Sequence, residues 1–196
     1  MWNGLCGPND NKDDCRALLD LYQATGPPRI PGFANGSSLC GWTGVRCDNT
    51  THRVTGLFLS GETLGDKFLQ GTIPESIGLL TSLTNLQLDN NNLTGSIPNS
   101  IGSLTNLIYL YLQGNRLSGA VPSSIGKLKK LTHLFLNGNQ LTSWDPSSGA
   151  QICENPKLQL SNFGECFLEQ NPFVCPMPAC ARGCEAECTQ HPTPVK

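Results

Sequence analysis

The sequence predicts an α/β solenoid of about four to five coils, each 24 residues long. The first observation is a repeat at that spacing across 83–141, in which leucines recur at fixed positions and one asparagine marks each unit: Asn91, Asn115 and Asn139. The second is that the ten cysteines cluster at the two ends and are absent between Cys47 and Cys153. Because a solenoid exposes its terminal coils, we expect two cysteine-stapled caps.

The repeat reads L-x-x-L-x-L-x-x-N-x-L-x-G-x-[IV]-P-x-x-I-G-x-L-x-x. Its L-x-L core alternates, which predicts a short strand with leucines inward and the intervening residues outward. The asparagine stands where the chain leaves the strand, and we expect its buried amide to bond backbone groups of the adjacent coil as a ladder. Glycine and proline mark the return path, and the I-G-x-L segment brings apolar side chains back to the core.

Four segments follow along the chain: an N-terminal cap over 1–53, repeats over 54–150, a Cys-rich C-terminal cap over 151–190 and a tail over 191–196. Within the first cap, 13–22 reads as a short helix that begins with two aspartates suited to the helix dipole and stops at Gly26. The first coil carries five extra residues within 60–70, which predicts a loop that is mainly tolerated, with binding as a second interpretation. A weak fifth strand is predicted at 158–160.

The cysteines of the first cap predict a small disulfide loop, because Cys40 and Cys47 flank Trp42. Cys6 and Cys15 would then pair, although a Cys6–Cys40 crossing stays open. Six late cysteines predict a second stapled cap of open connectivity: Cys153, Cys166, Cys175, Cys180, Cys184 and Cys188. Their spacing lacks the C-x2-C knuckle typical of zinc sites, so disulfides are the preferred interpretation.

The composition narrows the class of partner. Net charge is −2 and 14% of residues are charged, which argues against nucleic acid and against a polybasic membrane patch. No apolar run approaches the length of a transmembrane helix. Three N-glycosylation patterns begin at Asn35, Asn49 and Asn92, and with the cysteines they favour a secreted, oxidising context. The first residues lack a signal-peptide pattern, so we expect the numbering to begin at or near a mature end.

Two motifs resemble a known family. The L-x-G-x-I-P repeat resembles the plant-type extracellular leucine-rich repeat, and Cys40-x-Trp42-x-Gly44-Val45-x-Cys47, with the helix around Leu18, looks like its N-terminal cap. Ectodomains of plant receptor-like kinases and polygalacturonase-inhibiting proteins share these features. The resemblance covers about 6–145 and implies a short right-handed superhelix with a parallel sheet on its concave face. The chain departs from the family in having four clear coils and an unfamiliar C-terminal cap.

On this resemblance, residues beside the strand leucines point out of the concave face in three columns. The first column is Gly56, Asn85, Tyr109 and His133; the second is Phe58, Gln87, Tyr111 and Phe135; the third is Ser60, Asp89, Gln113 and Asn137. Four aromatic residues of the first two columns fall on neighbouring coils, where strands are about 4.8 Å apart. Exposed aromatic patches anchor proteins or sugar rings, so the residues of these columns other than Gly56 and Ser60 are the predicted binding site. The alternative is that the rings only cover one another or pack under a cap.

No motif in the sequence predicts chemistry. The acidic stretch 10–14 lacks the spacing of a calcium loop, and a helix N-terminus explains it better. His52, His133 and His191 lie far apart, without a nucleophile elbow, a metalloprotease motif or a phosphate loop. Hydroxyl residues of the return path are too irregular for an ice-binding lattice. We therefore predict no cofactor, no metal and no enzymatic activity.

The leading hypothesis is a secreted, non-enzymatic recognition module that binds an extracellular protein or glycan on its concave face. The alternative is a structural subunit of an extracellular fibre, wall or coat, supported by the short array and the cysteine-dense ends. This second hypothesis includes homo-assembly. A size measurement on native material separates the two, because a monomer favours recognition and an ordered polymer favours a structural role.

Overall fold

The chain stacks short coils behind a helical cap. A computed structural model describes residues 6–26, 38–64, 68–144, 161–162, 165–166 and 171–172, the pairs 161–162 and 165–166 by backbone alone. One continuous apolar core runs through these ranges, from the cap helix to the last described coil. No helix within them is both long enough and apolar enough to cross a membrane.

The N-terminal cap begins with helix α1, Lys12–Thr25. The Asn11 side chain caps it by accepting the N–H groups of Asp13 and Asp14, and Gly26 ends it at a φ of 87°. The predicted helix is confirmed and is longer at both ends. A 3-10 helix, Leu39–Gly41, and strand β1, Val45–Cys47, complete the cap.

Two disulfides staple this cap. Cys6 joins Cys15 across a Cα–Cα distance of 6.2 Å, and Cys40 joins Cys47 across 5.5 Å. The preferred pairing is confirmed, and the Cys6–Cys40 crossing is wrong. The side chains of the six late cysteines lie outside the described residues.

Asp14 has a different role from the predicted one. We expected it to suit the dipole of α1, but its side chain is fully buried. Its two oxygens accept from Nε and Nη2 of Arg53, both at 2.9 Å, and Oδ2 also accepts the Val54 N–H at 2.8 Å. The same hydrogen bonds raise the pKa of Arg53. Asp14 therefore fastens the cap helix to the first strand of the repeat.

A five-stranded sheet forms one side of the coils. Its order is β1-β2-β4-β6-β8, with β2 Val54–Phe58, β4 Asn85–Gln87, β6 Tyr109–Tyr111 and β8 His133–Phe135. The four repeat strands are parallel, and their central leucines stay in register: Leu57, Leu86, Leu110 and Leu134. Strand β1 pairs antiparallel with β2 and forms the N-terminal edge. The predicted parallel sheet is confirmed.

The return path is more regular than the sequence pattern suggested. Each coil first adds a strand on the flank: β3 Gln70–Thr72, β5 Asn92–Thr94, β7 Ser118–Val121 and β9 Gln140–Trp144. After each repeat proline a 3-10 helix follows: Glu75–Leu79, Asn99–Ser103 and Ser123–Lys127. The repeat glycine allows these helices to stack, because a Cβ on Gly78 would lie 2.7 Å from the Ser100 carbonyl.

The asparagine ladder is confirmed. In each rung the side-chain oxygen accepts one backbone N–H of the preceding coil, as Asn115 does from Leu93 at 3.1 Å. Its amide then donates to carbonyls of two coils, which for Asn115 are Leu88 at 2.9 Å and Leu112 at 3.0 Å. Each of these carbonyls also accepts from a neighbouring rung, so the ladder is continuous through the array.

The ladder extends one rung further than the repeat. Asn171 is buried, its oxygen accepts the Leu141 N–H at 3.0 Å, and its amide donates to Leu136 at 2.9 Å. Two short strands, β10 Ser161–Asn162 and β11 Glu165–Cys166, pair antiparallel shortly before it. The strand predicted at 158–160 lies outside the described residues. The C-terminal segment therefore closes the array with the same backbone chemistry as the coils.

The insertion in the first coil contains a short helix, α2, Gly61–Leu64. It packs against the second coil, since a Cβ on Gly61 would meet the backbone carbonyl of Asn90, and the Phe68 ring lies beside the same position. Leu64 and Leu69 are buried, whereas Phe68 is 39% exposed. The insertion is thus anchored at both ends, and a binding role for it stays a prediction.

Candidate functional site

The sheet brings together the first two predicted columns. Strand register places Gly56, Asn85, Tyr109 and His133 side by side, and likewise Phe58, Gln87, Tyr111 and Phe135. In β4, β6 and β8 these residues are half-buried and the central leucine is buried. We call the outward surface that carries both columns the sheet face.

Four rings on β6 and β8 form an aromatic quartet. Tyr111 stacks on Phe135 with ring centroids 4.6 Å apart and planes within 6°. Tyr109 lies against His133 at 4.9 Å, and edge-to-face contacts of 6.1 and 6.2 Å join the two pairs along each strand. Such ring pairs favour a fixed geometry by about 0.5–1.5 kcal/mol beyond area burial. The rings do cover one another, as the alternative interpretation expected, yet all four keep part of their surface exposed.

Threonines directly before β4 and β8 contact the first side chain of each of these two strands. The Thr132 hydroxyl lies 2.7 Å from Nδ1 of His133 and 3.2 Å from the Ile108 carbonyl. The equivalent Thr84 hydroxyl lies 2.9 Å from Oδ1 of Asn85 and 2.8 Å from the Thr55 carbonyl. These contacts hold one end of the Asn85 and His133 side chains, and both residues remain half-buried.

Sequence reasoning missed Arg46. Its guanidinium carbon lies 4.6 Å from the Phe58 ring centroid, a cation–π geometry, so β1 adds a cation to the edge of the sheet face. The Phe58 ring also leans over Gly56, where an added Cβ would fall 2.5 Å from it. The available signal in the sequence was the alternation of apolar Val45 and charged Arg46 beside the first coil, but its use required knowing that β1 joins the sheet.

The third column was predicted to point out of the concave face, but only half of it is accessible. Ser60 and Asp89 are buried, at 8% and 9% exposure, while Gln113 and Asn137 are half-buried. The Ser60 hydroxyl lies 2.9 Å from that of Thr63, and Asp89 accepts from the Asn90 amide at 3.2 Å. The first half of this column therefore supports the insertion instead of facing solvent.

Burial controls the titration of two residues at the sheet face. It raises the pKa of Asp89, and the nearby Glu62 carboxylate adds to the effect. It also raises the pKa of the Tyr111 phenol, with smaller contributions from Tyr109 and Asp89. The Tyr111 phenol consequently stays neutral at physiological pH.

We expect Asp89→Asn to raise the melting temperature at pH 7 but not at pH 3. A carboxyl whose pKa is higher in the folded chain than in the unfolded chain loses stability as pH rises from its unfolded value of about 3.9. Asparagine removes that charge, so its advantage is confined to pH values above this range. Thermal unfolding at both pH values measures the difference.

Asp48 provides the opposite control. Its carboxylate accepts from the N–H groups of Thr50 and Thr51 and from the Thr51 hydroxyl, and these bonds lower its pKa. Asp48→Asn is therefore expected to lower the melting temperature at pH 7. Equal responses of the two variants would contradict the assignment of Asp89.

A groove of about 320 Å³ opens elsewhere, between α1 and the first 3-10 helices of the coils. Arg16, Glu75, Leu79 and Ser103 are among its lining residues. The Glu75 carboxylate accepts the N–H groups of Asn99 and Ser100, and contacts from Ser100 lower its pKa. The Glu75 carboxylate thus links its own coil to the next one.

Within the described ranges, no group of three or more His, Cys, Asp or Glu side chains is placed to hold a metal ion. In the acidic stretch, Asp10 accepts the N–H groups of Gly7 and Leu39 and the Ser38 hydroxyl, and Asp14 is held by Arg53. These carboxylates are therefore used by the cap itself.

Two of the three glycosylation patterns lie on described residues. Asn49 is exposed in the turn between β1 and β2, and Asn92 is half-buried at the start of β5 on the flank. Asn35 lies outside the described residues. Glycosylation at all three stays a prediction.

Comparison with known proteins agrees with this architecture. A family model described as "Leucine rich repeat" matches residues 81–141, and one described as "Leucine rich repeat N-terminal domain" matches 11–48 and 128–155. A polygalacturonase inhibitor of Vitis vinifera is 37% identical over 83 residues, which are 41% of this chain and 22% of that protein. The chain spans 7% to 22% of the length of the curated relatives it matches.

Two solved structures are similar over most of the chain. One is the BIR3–SERK2 complex from Arabidopsis thaliana, at 30% identity and a TM-score of 0.67, covering 92% of this chain and 95% of that one. The other is a plant ice-binding protein, at 32% identity and a TM-score of 0.70, covering 85% of this chain and 50% of that one.

The parallel sheet, the asparagine ladder and the disulfide-stapled cap define a capped repeat solenoid that displays one regular sheet surface. The chain belongs to the plant-type extracellular leucine-rich-repeat family.

Proposed function

We propose that this protein is a secreted, non-enzymatic recognition module whose sheet face, the concave side in its family, binds an extracellular ligand. The observation that carries the proposal is the aromatic quartet on β6 and β8. The leucines and ladder asparagines of the repeat explain the fold. The quartet occupies positions that the repeat leaves free, where folding does not require an aromatic ring.

The energetics of interfaces support this choice of surface. Tyrosine is enriched at positions that dominate binding, because its large rigid ring costs little conformational entropy to order. The stacked pair Tyr111 and Phe135 is held in place before any ligand arrives. A surface that is already ordered loses less conformational freedom on association. A similar solved structure is a complex of two proteins, BIR3 and SERK2, which is consistent with such a role.

Secretion is part of the proposal. Its support is the stapled cap, with Cys6–Cys15 and Cys40–Cys47, since structural disulfides persist in oxidising compartments. The relatives include receptor ectodomain structures, which adds weight to an extracellular setting. Mass spectrometry of non-reduced native protein would test both bonds.

Ice binding, suggested by one similar structure, finds less support. On the flank, Thr72 pairs with Thr94, but Arg116 comes next beside Thr94, and Ser118 pairs with Gln140. The hydroxyl side chains therefore form no regular array. Sheet-face recognition accounts better for the exposed residues.

The double variant Tyr111→Ala with Phe135→Ala is expected to weaken ligand binding at least thirtyfold, since truncating an anchor costs about 2 kcal/mol or more. The melting temperature should change little, because both rings are half-buried on the surface. Immobilised wild-type and variant protein are exposed to the same native extracellular extract under non-reducing conditions. Quantitative mass spectrometry then compares what each retains.

Tyr22→Ala is the matched control. Tyr22 is also half-buried, but it belongs to α1, away from the sheet face. It should retain the wild-type ligand profile. Binding that survives in the double variant, or is lost equally in the control, would place the site elsewhere.

A further inference from the structure

The chemistry of the sheet face changes in order across its strands. The aromatic quartet covers β6 and β8, and Phe58 with Arg46 covers β2 and β1. Between them, β4 presents two amides, Asn85 and Gln87. The sheet face is therefore an amide strip with an aromatic ring on either side.

The spacing of this arrangement follows from the sheet. Gln87 is in register with Phe58 on one side and Tyr111 on the other. Two strand spacings separate those rings, roughly 9–10 Å. The Tyr111 ring is stacked on Phe135 on its far side, and Phe58 has the Arg46 guanidinium over its ring. Both walls are thus held by neighbours outside the strip.

The amides between the walls have hydrogen-bonding capacity to offer. Among the described residues, none makes a side-chain hydrogen bond to Gln87. Asn85 accepts from the Thr84 hydroxyl at 2.9 Å through its Oδ1, and within the described ranges no group bonds its amide nitrogen. Each amide can donate and accept at once. A ligand with adjacent hydroxyl groups can pair with both.

The charge of the sheet face narrows the chemical class of its ligand. The first two columns contain no carboxylate, and Arg46, the cation at their edge, already lies over Phe58. Asp89, in the third column, is buried. A polyanion would meet little positive charge, and a basic peptide would meet no exposed acid in these columns. The sheet face is complementary to a neutral ligand that carries hydroxyl groups and apolar C–H faces.

Resting on the proposed function, we propose that the ligand of the sheet face is a neutral oligosaccharide of β-linked pyranoses with equatorial hydroxyls. The axial C–H faces of such a sugar would pack on Tyr111 and Phe58, and its hydroxyls would bond Asn85 and Gln87. An extended peptide is the alternative occupant, and the experiment distinguishes the two.

The test titrates the full chain with cellohexaose by isothermal calorimetry, with maltohexaose and a hexamer of galacturonate as comparison probes. We expect saturable binding of cellohexaose and at least tenfold weaker binding of the other two. Gln87→Leu keeps the volume of the side chain and removes its hydrogen bonds, so it should weaken cellohexaose binding roughly tenfold.

Gln140→Leu is the matched control, because it makes the same change at an exposed glutamine on the flank strand β9. It should leave the affinity unchanged. No cellohexaose binding, or equal binding of the galacturonate hexamer, would overturn the proposal. The double variant Tyr111→Ala with Phe135→Ala separates this proposal from the proposed function. If wild-type protein retains a protein or peptide from native extract and the double variant does not, the recognition site stands and only the ligand class is wrong. If the chain does not bind cellohexaose and the double variant retains every ligand of the wild-type protein, both the ligand class and the proposed recognition site are contradicted.

Discussion

Asp14→Ala is expected to lower the free energy of unfolding by about 3 kcal/mol, the lower end of the range for breaking a buried ion pair. The substitution leaves the Val54 N–H without its acceptor and removes both bonds to Arg53. Arg53 is 24% exposed and still bonds Thr81, so it can recover some hydration. That access keeps the cost from rising further.

Asp13→Ala controls for the charge of the first helical turn. Asp13 is the exposed neighbour of Asp14, so its loss removes only a dipole interaction of about 0.5 kcal/mol. Denaturant unfolding measures both variants, and hydrogen exchange locates the change in α1. Equal destabilisation by the two variants would show that Asp14 does not join cap and coils. Replacing both partners, Asp14→Leu with Arg53→Met, should cost less than Asp14→Ala alone.

Asn115→Ala is expected to cost a similar amount, about 3 kcal/mol. The Leu93 N–H loses its acceptor in the interior, and this group accounts for the largest share. The carbonyls of Leu88 and Leu112 each lose one donor but keep the one from a neighbouring rung. The loss of stability therefore comes from one buried N–H group without an acceptor and from two carbonyls that each keep one donor instead of two.

Asn106→Ala separates burial from the mere number of hydrogen bonds. Its amide also donates to a backbone carbonyl, that of Thr81 at 3.0 Å, and its oxygen accepts from Lys130. Both bonds are exposed, so water replaces them and the loss should stay below about 1 kcal/mol. Urea unfolding of the two variants measures the difference. A cost at Asn115 no greater than at Asn106 would mean that the ladder does not stabilise the stack.

The repeat alone is sufficient to predict most of the sheet face. A strand has a side-chain period of two and the repeat has a fixed length, so one correct alignment placed Tyr109 beside His133 and Tyr111 beside Phe135. The same logic placed the ladder, because each asparagine follows its strand leucine by three positions. Periodic information predicts periodic structure well.

Features outside the period were not predictable in this way. Arg46 belongs to an antiparallel strand of the cap that joins the edge of the sheet. Asp14 bonds Arg53, which lies 39 positions further along the chain. Asn171 continues the ladder 32 positions after Asn139, a spacing that no 24-residue window reveals. Ser60 and Asp89 were aligned correctly but buried by the insertion beside them. Each case depends on a contact between segments that the repeat does not relate.

The most direct test of sheet-face recognition is photo-crosslinking from a single position. A benzophenone amino acid replaces Tyr111 in one protein and Thr94, an exposed residue of flank strand β5, in another. Both are irradiated in native extracellular extract, and covalent adducts are identified by mass. We predict a ligand adduct from position 111 and none from position 94. An adduct from position 94 alone would contradict binding at the sheet face.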